Sequence, residues 1–83
     1  MKSSQIVGDN IRGFREIQGY TQAEFARHAK MHRDYVGGVE RGERNISIES
    51  LFQFGDALGI APHVLLMEGA HRWINKARKH FSG

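Results

Sequence analysis

The chain contains no cysteine and only one proline, Pro62, in 83 residues. Without thiols, neither a disulfide framework nor a thiolate zinc site can be built, so apolar packing has to carry the fold. No run of 18 or more apolar residues occurs, which disfavours a membrane span. The start, Met1-Lys2-Ser3-Ser4-Gln5, has no apolar stretch behind it of the secretory kind, and a cytoplasmic location is expected. A glycine-rich phosphate loop and a nucleophile elbow are missing as well, so no enzyme is expected. Acid is absent from residues 69–83, which carry Arg72, Lys76, Arg78 and Lys79, whereas residues 1–68 hold 8 basic against 9 acidic side chains. The basic end suits an anionic partner.

What is present reads as helices. Strand-like alternation of β-branched residues is scarce, while apolar residues recur at helical spacing between short polar turns. Ile6, Val7, Ile11, Phe14 and Ile17 mark a first helix over about 4–17, stopped by Gly19. Thr21, with Glu24 three residues on, forms the sequence of a capping box, and Tyr20 stands where a hydrophobic staple belongs. A second short helix with Phe25, Ala26 and Ala29 on its buried side ends near Ala29 or Lys30. A third runs from Arg33 to Glu40 with Tyr35, Val36 and Val39 as apolar positions and Gly42 just past its end. Ser47 caps a fourth, with a stripe of Ile48, Leu51, Phe54, Ala57 and Leu58 ending at Gly59. Pro62 opens a fifth through Val64, Leu65 and Met67. Beyond Gly69, Trp73, Ile74, Ala77 and Phe81 share one side of a last amphipathic stretch, suited either to packing on the core or to a two-fold dimer contact. The expected class is all-α, with a domain over 1–68 and a basic extension over 69–83.

The run Thr21-Gln22-Ala23-Glu24-Phe25-Ala26, then Tyr35-Val36, then Val39-Glu40-Arg41-Gly42, then Ile48 to Leu58, resembles the Cro/repressor type, or Xre-like, helix-turn-helix family. The segment Tyr35 to Ser47 is also similar to the controller proteins of restriction-modification systems. This resemblance implies a five-helix lambda-repressor-like domain that binds double-stranded DNA, as a homodimer, to regulate transcription, with phage-type repression as a further possibility. It implies that the third helix enters the major groove, so that Arg33, Asp34, Tyr35 and Gly38 meet base edges. Arg33 can fork onto guanine and Asp34 can accept from cytosine, each for about 1–3 kcal/mol of discrimination. Thr21, Gln22, Arg41, Arg44 and Asn45 take positions that meet phosphate, and Arg15 and Glu40 those of a partly buried ion pair.

Three departures qualify the resemblance. Gly37-Gly38 interrupts the recognition helix, where family members often carry a reading side chain, so the backbone at Gly38 is expected to approach DNA or to read less. Lys30 takes a turn position where glycine is usual, and His32 a position where a serine or threonine cap is usual. The glycine pair also leaves an alternative open, an antitoxin-like interaction module that keeps the fold without reading DNA. His28 and His32 are four apart but straddle the turn, so neither a metal site nor a cofactor is expected.

Overall fold

The computed structural model describes residues 2–74, which fold as four α-helices, a 3-10 turn and the start of a further helix. In α1 (Ser3–Ile17), Val7, Ile11 and Phe14 recur every three or four residues and point into the core. The helix stops at Gln18, followed by Gly19 at φ 83. Thr21 then caps α2 (Gln22–Ala29), its Oγ1 accepting from the Glu24 N–H at 3.1 Å while the Thr21 N–H donates back to Glu24 Oε1 at 2.9 Å. Tyr20 packs edge-on against Phe25 at 5.9 Å, which fixes the angle at which the chain enters α2.

The turn after α2 is made by Lys30 in the left-handed region, φ 59 and ψ 46, which lets the Met31 N–H donate to the Ala26 carbonyl at 2.8 Å. This closes the helix end in the manner that glycine usually serves, at a steric cost of roughly 1 kcal/mol for a side chain with a Cβ. After it, α3 (Arg33–Glu40) starts at His32, whose side chain makes no capping bond. Ser47 caps α4 (Ile48–Leu58) by accepting from the Ser50 N–H at 3.0 Å. Gln18 Nε2 and His28 Nε2 donate to the Leu58 and Ala57 carbonyls at the far end of α4, and Gln53 Nε2 donates to Ala29 at the end of α2. Three side chains thereby satisfy helix-end carbonyls that the helices themselves cannot.

The core gathers Ile11, Phe14, Phe25, Val36, Val39, Phe54, Leu58 and Leu65, with Phe25 and Phe54 stacked 6.0 Å apart. Ile48, expected in the buried stripe of α4, is instead 73% exposed. At about 100° per residue the stripe through Leu51, Phe54 and Leu58 is centred about a quarter turn away from Ile48, which opens the helix. The expected fifth helix is a 3-10 turn over Pro62–Leu66, and Met67 is already extended and exposed. Its carbonyls are diverted: Asn10 Nδ2 takes the oxygens of Leu65 and Met67 at 3.0 and 2.7 Å.

Helix resumes over 70–74 against α1, with Ala70 buried and Ile74 packed on the core, while Trp73 is 77% exposed. The two residues expected on one stripe thus part company. Ala77 and Phe81 lie outside the described residues.

Candidate nucleic-acid interface

Eight residues of α-helix span about 12 Å, and α2 and α3, joined through Lys30, Met31 and His32, present such a rod at the surface. Arg33 and Asp34 are both exposed on its first turn. Tyr35 is half-buried. Its ring stacks inward on Phe54 at 6.1 Å and outward beneath the Arg44 guanidinium, 5.8 Å from the ring centroid. A column of Arg44, Tyr35, Phe54 and Phe25 therefore runs from the surface into the core.

The two glycines of α3 are both buried. Gly38 is expected either to let the backbone approach DNA or to read less, and Arg44 lies beside it: an added Cβ would come 2.9 Å from Arg44 Cγ. At Gly37 an added Cβ would come 3.1 Å from Arg41 Nη1 and 3.6 Å from Gln22 Oε1. The chain reverses at Gly42, φ 74, and this brings Arg44 back along α3, while Arg41, the cap residue of the helix, stands one turn past Gly37.

Beneath this surface, α3 is tied to α1. Arg15 Nε donates to Glu40 Oε2 at 2.7 Å and Nη2 to Oε1 at 3.0 Å, a bidentate pair with side chains only 9% and 2% exposed. Arg15 Nη1 donates to the Tyr20 carbonyl at 2.7 Å, and Gln22 Nε2 to Glu40 Oε1 at 3.0 Å. Hydrogen bonding to the Glu40 carboxylate raises the Arg15 guanidinium above its ordinary value, against burial, and the Thr21 N–H lowers Glu24 below the usual carboxylate range. One network thus fixes the first residue of α2 relative to the last residue of α3. The close seating of α1 on α3 depends on Gly8, where a Cβ would come 2.3 Å from the Val39 carbonyl oxygen.

Thr21, Arg41, Arg44 and Asn45 are all exposed, Arg41 paired with Glu43 at 3.0 Å. Arg44 differs from the others, since it leans on α3 and Tyr35. Sequence reasoning passes over Asn10, fully buried on α1, which also accepts from His71 N–H and Nδ1 at 3.3 and 3.0 Å. Its signal is positional, because Asn10 stands three residues after Val7 and four before Phe14, on the buried face. Among the described residues no group of three or more His, Cys, Asp or Glu could hold a metal, and no helix is long and apolar enough to cross a membrane.

Comparison with known proteins places this geometry. A family model described as "Helix-turn-helix" matches residues 11–65, from the middle of α1 to the 3-10 turn. The control protein C.SmaI of Serratia marcescens is 34% identical over 70 residues, 83% of either chain. The structure of a hypothetical transcription factor, NHTF, from Neisseria superposes with a TM-score of 0.79 at 33% identity, covering 87% of this chain and 83% of that one. The restriction-modification controller protein C.AhdI of Aeromonas hydrophila gives 0.71 at 37% identity over 75% of this chain and 94% of that one.

Proposed function

The chain belongs to the helix-turn-helix family, and we propose that it regulates transcription by seating α3 in the major groove of double-stranded DNA as one half of a homodimer. The observation that carries this is the α2–turn–α3 unit, braced by Arg15 and Glu40 from behind, with Arg33 and Asp34 exposed on the first turn of α3. Those two side chains and Tyr35 would meet base edges. Thr21, Gln22, Arg41 and Asn45 would hold phosphate on either side, Gln22 using the amide hydrogen that Glu40 does not take.

Two considerations support a dimer. A 12 Å helix reaches only about 3–4 base pairs, so a second copy on a half-site about one turn away extends the contact. Leu66, Met67 and Trp73 are each more than half exposed, an apolar surface that a partner copy would cover. Similarity to C.SmaI and C.AhdI supports the narrower role of controlling restriction-modification genes.

The test is an electrophoretic shift on the DNA upstream of the protein's own gene, at several salt concentrations. Retardation at low salt is expected to weaken with a log–log slope of about −0.9 per phosphate contact, and no shift at low salt refutes the assignment. Arg33→Ala should weaken the preferred site by roughly 5- to 150-fold and leave random duplex little changed.

A further inference from the structure

We propose that the outer face of α4 is a docking site for the basic end of the same chain, residues 75–83. The inference stands apart from the DNA-binding role, because it concerns α4 and not the α2–α3 unit. At about 100° per residue, Ile48, Glu49, Phe52 and Asp56 fall within one sector of about 100°, turned away from the buried stripe of Leu51, Phe54 and Leu58. All four are exposed, Ile48 at 73% and Phe52 at 54%. The solvent side of a helix ordinarily carries polar residues. Two large apolar side chains one turn apart on that side mark a surface that something covers.

Charge identifies the occupant. Between Arg44 and Arg72 the chain carries Glu49, Asp56 and Glu68 and no lysine or arginine, whereas beyond Arg72 it carries Lys76, Arg78 and Lys79 and no acid. Among the described residues neither Glu49 nor Asp56 has an ion-pair partner. Such a face repels a phosphate backbone and attracts a cationic segment that brings apolar groups with it. Residues 75–83 have that composition, with Ala77 and Phe81 set among the three cations. They extend at most about 30 Å from Ile74, comparable to the 28 Å breadth of the domain, which puts the α4 face within reach. Ile74 itself is packed on the core, so the segment is tethered and meets its own α4 at an effective concentration on the order of mM. A separate copy has to reach that concentration in solution to compete.

Because the chain has no cysteine, Ser82→Cys in the full chain gives a single thiol for a nitroxide. Paramagnetic broadening of backbone amides in the isotope-labelled protein then reports which residues position 82 approaches. Strong broadening over residues 48–56 is expected at about 0.1 M salt, fading toward about 1 M as the screening length drops from about 10 Å to about 3 Å. The variant E49K/D56K should lose most of that broadening, and adding K76E/K79E should restore it, since the exchanged charges attract again. Phe52→Ser should weaken it while moving the thermal midpoint by no more than about 4 °C, as expected for a surface side chain. In a mixture of isotope-labelled chain without nitroxide and unlabelled chain with it, residues 48–56 should stay sharp; broadening there would overturn docking within one chain. Broadening centred on α1 or α3, or on no residue, would overturn the docking itself. So would broadening over 48–56 that the charge reversal leaves unchanged.

Discussion

Replacing Arg15 with methionine keeps an unbranched apolar stem and removes three hydrogen bonds, two to Glu40 and one to the Tyr20 carbonyl. It leaves a carboxylate whose side chain is 2% exposed with Gln22 Nε2 as its remaining bond. Breaking a buried pair by removing one partner costs about 3–5 kcal/mol. An 83-residue domain has about 4–12 kcal/mol in all, so the variant should lose a quarter of its stability or more. At about 4–8 °C per kcal/mol for a domain of this size, the thermal midpoint should fall by at least about 12 °C. Urea unfolding followed by helical circular dichroism measures the loss directly. Arg12→Met is the control: its partner Glu16 lies at 3.4 Å and both side chains are more than half exposed, so it should change stability by less than about 1 kcal/mol. The double variant R15M/E40L should recover most of the loss, since neither charge is then buried. If Arg15→Met proves as mild as Arg12→Met, water reaches the Glu40 carboxylate and the brace between α1 and α3 is not what holds the recognition helix.

Lys30→Gly should stabilise the domain by about 0.5–1 kcal/mol, seen as a higher urea midpoint at unchanged slope, because glycine takes the left-handed turn without a Cβ penalty. A lower midpoint would mean that the Lys30 side chain makes a compensating contact. Burial, with help from Arg72 and against Asp9 and Glu16, lowers the His71 imidazole below its ordinary value. The fold therefore favours the neutral ring. The stability this adds is fully present above about pH 6.5 and is lost as the pH falls through the lowered folded value. His71→Gln should flatten the stability profile between about pH 5 and 7, and an unchanged slope there would place the titration elsewhere.

Much of the fold was legible because the signals were local. Thr21 with Glu24, Tyr20 before Phe25, and Ser47 before α4 each act within one turn, and each does in three dimensions what its spacing implies. Lys30 was legible too, as the residue at a turn that favours glycine. What local spacing could not supply was depth and return. Asn10 looks like a polar interruption of α1 until the carbonyls of Leu65 and Met67 arrive from more than 50 residues away. The Gly37-Gly38 pair looks like missing side chains, because the arginines beside it lie past the helix end, and Arg44 reaches Gly38 only after the chain reverses at Gly42. Ile48 shows the opposite error, where correct periodicity was assigned to a residue at the open edge of the stripe.

Asn10 also sets when the molecule can be finished. Its bonds reach residues 65, 67 and 71, so a residue made early in synthesis stays unsatisfied until one 61 positions later has appeared. At about 5–20 residues per second this delay is roughly 3–12 s, during which the side chain of Asn10 has only water as a partner. The recognition helix is complete in sequence well before then, but the body that aims it is not. A nascent chain cut short before residue 65 therefore carries the reading surface without the clamp, and premature fragments should make poor competitors for the sites of the finished protein.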